Sequence, residues 1–309
     1  LNLKPGDLVV DIGSNDGTWL NSYGEGIRVL GVDPAKNLAK MANERGIETI
    51  HRFFNLEVAR EIIASHGHPK LVTAAGVFFH LEELHSVTQG IAELCAEGGV
   101  FCVQAIYLGE ILRITQFDNV YHEHLTYWTI RSLDRLFSEY GLEIFDAELL
   151  PIHGGSLELL VGCRGTRDLQ TSVSRMRKEE ERLGYDQIQT YRQFADRVWE
   201  IRDELMPILE GYRSSGKTVH AFGAPAKGAT LLNTFHISTD LVSCAVEVNP
   251  LKIGKFIPGV LIPLIDESAT VPPDAYLILP WNFLTEFLVK KRAYIMAGGE
   301  FIVPIPRPV

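Results

Sequence analysis

The sequence has few cysteines and no long hydrophobic run. Its four cysteines, Cys95, Cys102, Cys163 and Cys244, form no C-x-x-C pair and lie in apolar stretches. This pattern argues against a disulfide framework and predicts buried thiols in a reducing compartment. No apolar stretch reaches the roughly 18 residues that a membrane-spanning helix needs, and the N-terminus has no signal-peptide pattern. We therefore expect a cytoplasmic protein with no membrane partner.

Basic tracts are also absent. Lys and Arg number 29 against 39 Asp and Glu, so the net charge is −10. Because no run of positive charge is long enough to follow a phosphate backbone, nucleic acid is not an expected partner and a small molecule is. The 309 residues accommodate two domains. The chain opens at Leu1 and enters a strand pattern within ten residues, so we expect a preceding segment to be missing.

Short apolar strands alternate with helical patterns over the first half of the chain. Such alternation predicts a parallel, doubly wound α/β sheet. The expected strands cover 7–13, 27–33, 70–79, 98–106 and 141–150, and the expected helices cover 37–46, 83–98 and 129–141. The alternating stretch 154–164 is predicted to be a final antiparallel edge strand.

A second, smaller α/β unit is predicted after a polar segment at 166–184. Apolar residues from Ile188 to Tyr212 recur every three or four positions, which is typical of one long amphipathic helix. The expected elements that follow are a strand, turn and helix at 217–235, strands at 241–248, 275–280 and 300–305, and a helix at 284–299.

The stretch VVDIGSNDGTWL places Asp11 at a strand end and Gly13 and Gly17 in the next turn. Asp33 ends the following strand, where a carboxylate commonly receives the ribose hydroxyls of an adenosine-type ligand. The acidic Asp11 and Asp16 would repel a pyrophosphate and suit a ligand with a cationic end. S-adenosylmethionine has this character. An ordinary strand-to-helix turn is the alternative.

Other residues near the predicted strand ends are weaker candidates. Phe53 and Phe54 can face an adenine ring or pack in the core, and His80 can face the cofactor or serve only as a cap or packing residue. No histidine pair has metal-ligand spacing with a third ligand, so no metal site is predicted.

Six segments together carry a resemblance to a known family. They are DIGSNDG, FDNVYHEHLTYW, PIHGGSLEL, GAPAKGATLLN, NPLKIGKFIPG and LPWNF. In this order they resemble the S-adenosylmethionine-dependent C-methyltransferases of nucleotide-deoxysugar pathways. The resemblance implies methylation of a carbon next to the ketone of a TDP-linked 4-keto-deoxysugar. The family normally begins with a zinc-binding domain that has no counterpart here. Gly76 replaces a common Asn, and Glu158 a common Arg.

The resemblance implies a class I methyltransferase domain, Rossmann-like, over 1–164. A helical linker at 165–213 and a smaller Rossmann-like, substrate-binding domain at 214–309 follow. The cofactor-binding residues expected are Asp11, Gly13, Asn15, Gly17, Asp33, Pro34, Phe53, Phe54, Gly76 and His80. The substrate-binding residues expected are Gly154, Gly155, Lys227 and Lys255.

Carbon methylation requires removal of a proton α to a carbonyl, because an ordinary sugar carbon is not nucleophilic. Histidine is suited to this at neutral pH, so we predict His124 as the base. Glu123 is expected to orient or charge-tune the imidazole, while Tyr121 and His153 donate hydrogen bonds to the enolate oxygen. A polar-aromatic lid, an O-methyltransferase and a non-catalytic cofactor-binding module are the alternatives.

Overall fold

A computed structural model describes residues 1–309 and divides the chain into two compact units. The first unit comprises residues 1–109 and 125–186, and the second comprises 110–124 and 187–309. This division differs from the expected boundaries, because the segment 110–124 belongs with the C-terminal residues and because no separate linker unit occurs. None of the helices combines the length and the apolar content that crossing a membrane requires.

The first unit is built on a seven-stranded sheet with the order β3-β2-β1-β4-β5-β7-β6. Its strands are β1 (Leu8–Ile12), β2 (Arg28–Val32), β3 (Thr49–Ile50), β4 (Leu71–Ala75), β5 (Val100–Ile106), β6 (Leu142–Leu150) and β7 (Ser156–Cys163). The first five pair in parallel, and every residue of β1 is buried. The strand order reverses between β1 and β4, and ligands of doubly wound sheets bind at such a point.

The prediction for residues 154–164 was half right. β7 is antiparallel to both its neighbours, but it lies between β5 and β6 instead of at the edge. β6 is the edge strand, and its pairing carries an irregularity between Ile144 and Asp146. Leu157, Leu159 and Val161 of β7 are fully buried, as an interior strand requires.

Six helices accompany the first sheet. They are α1 (Lys36–Glu44), α2 (Leu56–His66), α3 (Leu84–Leu94), α4 (Leu108–Arg113), α5 (Ile130–Ser138) and α6 (Thr171–Leu183). The division between the units falls inside α4. The helices α2, α4 and α6 were not predicted, although the side chain of Asn55 caps α2 by accepting from Val58 N at 3.0 Å. These helices and the sheet leave the loops after β1, β2 and β4 at the carboxyl edge.

The second unit has a five-stranded, all-parallel sheet with the order β10-β9-β8-β11-β12. Its strands are β8 (Val219–Phe222), β9 (Ala245–Glu247), β10 (Leu264–Asp266), β11 (Ala275–Ile278) and β12 (Glu300–Ile302). Its helices are α7 (Ile188–Ser214), α8 (Ala226–Thr234), α9 (Leu284–Lys290) and α10 (Arg292–Met296). The predicted long helix is confirmed as α7, whereas the helix expected at 284–299 is interrupted at Lys291.

The segment 110–124 contributes to the core of the second unit through Phe117. This side chain is 5% exposed and lies with its ring centroid 4.8 Å from that of Phe235, which follows α8. A short 3-10 helix, Phe117–Asn119, begins at this anchor. The chain that carries the predicted base is therefore fixed to the second unit by burial of an aromatic ring.

Candidate active site

The turn after β1 is held close to the end of β2. Gly13 N donates to the carbonyl of Val32 at 2.8 Å, and Gly13 has a φ of +74°. A Cβ on Gly13 would lie 2.4 Å from Val77 Cγ2, and one on Gly17 would lie 2.8 Å from Ile47 Cδ1. Both glycines are therefore required by backbone conformation and by packing against neighbouring side chains.

Asp33 closes this turn from the end of β2. Its Oδ2 accepts from Asn15 N and its Oδ1 from Ala35 N, each at 2.8 Å. Asn15 itself has a φ of +56°, which this bond helps to maintain. Each carboxylate oxygen has a second lone pair, so the buried carboxylate can accept two further hydrogen bonds from a vicinal diol.

Asp11 is a second buried carboxyl group at the same edge, with 4% exposure. Burial raises its pKa to about 6, and the nearby negative charge of Asp33 acts in the same direction. A hydrogen bond of 2.5 Å from Thr73 Oγ1 on β4 opposes this rise. Two carboxylates in one buried turn favour a ligand that carries positive charge.

The segment after β3 lies beside the end of β2. His51 Nε2 is 3.0 Å from the carbonyl oxygen of Pro34, and this carbonyl accepts the ring N–H. Phe54 is 6% exposed and belongs to the core, whereas Phe53 is 76% exposed. Of the two predicted aromatic residues, only Phe53 presents a face that a planar ligand can cover.

The loop after β4 contains Gly76 and His80. Gly76 has a φ of +69°, and a Cβ there would meet only Gln104 Oε1, at 3.7 Å. The backbone conformation, and not crowding, therefore favours glycine. His80 is half-buried, and its ring centroid lies 4.3 Å from that of Phe79. The backbone N–H of His80 donates to Val77 O. The predicted cofactor-binding residues thus lie at the ends of β1, β2 and β4 and in the segment after β3, except that Phe54 is buried in the core.

In the second unit, His124 is held in one tautomer. Its Nδ1 lies 2.8 Å from the backbone carbonyl oxygen of Asn119. A carbonyl only accepts, so Nδ1 carries the proton and the lone pair of the neutral ring is on Nε2. The side chain is 8% exposed, and its ring centroid lies 4.1 Å from that of Tyr121. This imidazole can accept a proton at Nε2.

One orienting partner of His124, the backbone carbonyl of Asn119, was not predicted from the sequence. Glu123 was expected to orient the ring, but its side chain is exposed and Nδ1 bonds to the Asn119 carbonyl. A backbone carbonyl carries no signal in the identity of a residue, so sequence reasoning had no means of finding it. The turn itself is closed by His124 N, which donates to Tyr121 O at 3.0 Å.

His153, Gly154 and Gly155 form the turn between β6 and β7 in the first unit. All three have positive φ values, of 55°, 84° and 123°. The side chain of His153 is exposed, and Gly155 N donates to Ile152 O at 2.9 Å. The structure therefore assigns these predicted residues to a different unit from Tyr121, Glu123 and His124.

The second unit contains a cavity of about 470 Å³. Tyr121 and His122 line it together with residues at the start of α8 and in the loop between β9 and β10. That loop contributes Lys252, Lys255 and Phe256. Lys255 and Phe256 are exposed, and the Lys252 ammonium lies 3.0 Å from the carbonyl of Ala224, to which it donates. The cavity thus combines two cations, a helix N-terminus and an aromatic ring.

The loop over this cavity is tied down to α8. Asn233 on α8 donates from Nδ2 to Pro258 O at 2.9 Å. Gly259 has a φ of +84°, and a Cβ there would lie 1.8 Å from Asn233 Oδ1. The NPLKIGKFIPG segment therefore requires its last glycine in order to approach α8.

Lys227 lies elsewhere than predicted. It does not line the cavity, and its ammonium donates to Asn282 Oδ1 and lies 4.2 Å from the ring centroid of Trp281. Burial lowers its pKa, although the charge of Asp118 acts in the opposite direction. Of the two lysines predicted to bind substrate, only Lys255 is in position to meet a ligand in the cavity.

The strand order of the first unit, the glycine turn after β1 and the carboxylate directly after β2 define a doubly wound domain that binds an adenosine-type cofactor. Sequence comparison specifies the family. Residues 1–147 match a methyltransferase domain model, and residues 151–306 match a model described as the C-methyltransferase C-terminal domain. The C-methyltransferase NovU of Streptomyces niveus is 39% identical over 312 residues, which cover 100% of this chain and 74% of that protein.

The chain therefore belongs to the S-adenosylmethionine-dependent C-methyltransferases. Solved structures give weaker matches. A putative methyltransferase complex with the Trm112 activator from Haloferax volcanii has a TM-score of 0.42 at 17% identity, covering 53% of this chain and 84% of that one. A methyltransferase from Anabaena variabilis also has a TM-score of 0.42, at 18% identity, covering 53% of this chain and 79% of that one.

Proposed function

We propose that this C-methyltransferase acts on a carbon next to the ketone of a TDP-linked 4-keto-deoxysugar. The observation that carries the proposal is the cavity of the second unit, where Lys252 and Lys255 accompany Tyr121. A nucleotide-linked sugar presents a diphosphate, a planar base and a polar ring, and this cavity offers a complement to each of them. The family resemblance supports the same substrate class.

The diphosphate is assigned to the cationic side of the cavity. The exposed Lys255 ammonium is free to reach a phosphate oxygen, and the N-terminus of α8, at Ala226, adds unpaired backbone N–H groups. Glu247 lies 3.6 Å from the ammonium of Lys252, so that cation is partly neutralised. We therefore assign the stronger phosphate contact to Lys255, with the Phe256 ring available to stack on the base.

The cofactor is assigned to the carboxyl edge of the first sheet. Asp33 would accept hydrogen bonds from the ribose hydroxyls, the buried charge of Asp11 would favour the cationic end, and Phe53 would cover the adenine. S-adenosylmethionine supplies an electrophilic methyl group. The backbone around the cofactor site is shaped by Gly13, Asn15, Gly17 and Pro34.

His124 is the proposed base. Its Nε2 takes the proton α to the ketone, and the electrons of the broken C–H bond form an enolate whose oxygen accepts from the Tyr121 hydroxyl. The enolate carbon is then the nucleophile for the methyl group. Positioned bases of this kind contribute about 10²- to 10⁴-fold to a rate. The Asn119 carbonyl keeps the proton on Nδ1, so that the lone pair that can accept a proton is on Nε2.

Solvent deuterium exchange tests the base. Without a methyl donor, the wild-type enzyme should exchange the α proton of a TDP-4-keto-6-deoxysugar with D₂O, as monitored by NMR. His124→Asn should lose exchange and methylation together, with unchanged affinity for S-adenosylhomocysteine. Exchange at the wild-type rate in this variant would show that another group is the base.

Calorimetry with TDP tests the substrate site separately. Lys255→Ala should weaken TDP binding by about 10-fold or more, the scale of one charged hydrogen bond. Lys290→Ala is the matched control, because Lys290 is also exposed in the second unit but does not line the cavity. Equal affinities in the two variants would refute the assignment of the diphosphate.

A further inference from the structure

A buried carboxylate and a half-buried ammonium, those of Asp118 and Lys227, lie near each other at the start of the segment that carries His124. Asp118 has 0% exposure, and its Oδ2 accepts from the indole N–H of Trp281 at 2.7 Å. Its Oδ1 is buried and makes no side-chain hydrogen bond, while the backbone N–H groups of Asp118 and Asn119 act on the carboxyl group and lower its pKa. The ammonium of Lys227 lies 4.2 Å from the ring centroid of the same indole. The aromatic ring is thus contacted by a carboxylate through its N–H and by a cation.

Buried charges of this kind usually stabilise a fold no more than apolar groups of similar volume do. Removing two charges from water is unfavourable, and an incompletely bonded carboxylate recovers only part of that loss. Burial raises the pKa of Asp118 to about 6, while Lys227 holds it lower than burial alone would. Such a group is poor as a source of stability, so its position at the start of the histidine segment requires another explanation.

The connection to the proposed base runs through one residue. Asn119 follows Asp118 directly, and its carbonyl accepts the Nδ1–H of His124 at 2.8 Å. Its side chain is fixed as well, since Nδ2 donates to Gln116 Oε1 at 2.6 Å. A shift of the peptide between Asp118 and Asn119 would therefore move the carbonyl that orients the imidazole.

We propose that Asp118 is a positioning residue for His124, with Lys227 and Trp281 as the counter-charge and the hydrogen-bond donor that fix it. This inference rests on the proposed role of His124 as the base. It gives Lys227 a function in holding the base segment, and it explains why the FDNVYHEH, GAPAKG and LPWNF segments occur together: they meet in this one network.

A double-mutant cycle tests the network. Asp118→Asn keeps an oxygen for the indole N–H and removes the charge, and Lys227→Met removes the opposite charge. Each should slow α-proton exchange in D₂O by about 10-fold or more, with the KM for the sugar and the affinity for S-adenosylhomocysteine within about 2-fold of wild type. The double variant, which restores neutrality, should lose less than the product of the two single losses.

Trp281→Phe provides a second test, because it keeps an aromatic ring beside Lys227 and deletes the donor to Asp118. It should also slow exchange without changing cofactor affinity. The matched control is Asp134→Asn with Arg177→Met, which removes a bidentate ion pair of the first unit whose shorter distance is 2.6 Å. That control should leave exchange unchanged.

The outcomes separate this inference from the proposed function. If His124→Asn exchanges as fast as wild type, the base assignment fails and the positioning role fails with it. If His124→Asn is inactive while Asp118→Asn and Trp281→Phe exchange normally, only the positioning role is refuted. Multiplicative losses in the cycle, or a parallel fall in affinity for S-adenosylhomocysteine, would show that the network has only a structural role.

Discussion

The buried carboxyl group of Asp11 should make the protein less stable at neutral pH than it would be with a neutral side chain. Replacement by Asn keeps the size and the ability to accept from Thr73, and it removes the charge. We therefore expect Asp11→Asn to stabilise the first unit in the absence of ligand and to weaken cofactor binding. Stability and function should change in opposite directions.

The magnitude follows from the raised pKa. The folded protein holds this proton more tightly than the unfolded chain does, so ionisation costs stability. That cost is absent below the unfolded value of 3.8 and is complete once the pH is well above the folded value of about 6. At about 1.4 kcal/mol for each pH unit between the two values, the cost is about 3 kcal/mol at pH 8 and about 1.5 kcal/mol at pH 5.

Hydrogen exchange measured by mass spectrometry can report the stability cost of ionising Asp11 in the first unit alone, from peptides that cover β1 and β4. Protection in Asp11→Asn should exceed that of wild type at pH 8 by up to about 3 kcal/mol, and the difference should fall to about half at pH 5. Asp16→Asn is the control, because hydrogen bonds from Thr18 and Arg45 hold the pKa of that half-buried carboxyl below its usual value. The control should gain no protection.

The reasoning would be refuted if Asp11→Asn gained no protection at pH 8, or gained the same amount at both pH values. The ligand provides the second half of the test. Affinity for S-adenosylmethionine should fall by about 1.5 to 3 kcal/mol in Asp11→Asn, the scale of a hydrogen bond to a charged group. Calorimetry at pH 8 would measure this fall.

Four further substitutions concern the cofactor edge. Asp33→Ala should weaken S-adenosylhomocysteine binding by about 1.5 to 3 kcal/mol in calorimetry, and unchanged affinity would remove Asp33 from the site. Phe53→Ala should weaken S-adenosylhomocysteine binding with little loss of thermal stability. Phe54 is buried, so Phe54→Ala should cost about 3 to 5 kcal/mol of folding free energy in denaturant titrations. The reverse pattern would contradict the assignment of Phe53 to the cofactor and of Phe54 to the core. Gly17→Ala should destabilise the protein by about 1 to 3 kcal/mol, because of its φ of +78° and the proximity of Ile47, and a neutral effect in the same titrations would disprove that reasoning.

The alternation of strands and helices was predictable because apolar periodicity reports burial directly. Asp33 directly follows β2 and Asp11 is the last but one residue of β1, close to the predicted strand ends, since a polar residue near the end of an apolar run marks the edge of a sheet. The helix α6 was not predicted, because only Val173 and Glu180 of its residues are buried. The carboxylate of Glu180 accepts from Ile130 N at 2.7 Å, which satisfies the start of α5. Such a contact between distant parts of the chain leaves no periodic pattern.

The roles of the lysines could not be predicted from the local sequence. Lys227 follows a strand and a tight turn, as a phosphate-binding residue does, yet its ammonium meets Asn282 and Trp281, more than 50 positions further along the chain. The sequence likewise did not indicate that Phe117 and Asp118 belong to the second unit. Only the three-dimensional arrangement shows which of these residues share a core.

The chain passes between its two units three times, after residues 109, 124 and 186. A chimera made by a single crossover near residue 150, between the ranges of the two family models, would exchange α8 and Trp281 but retain the Asp118 of the other parent. Each part of the chimera would come from a natural sequence and could fold. The indole and the lysine would nevertheless come from one parent and the carboxylate from the other. Recombination that grafts residues 110–124 along with the C-terminal part would keep this set together, so the inherited module is discontinuous in sequence.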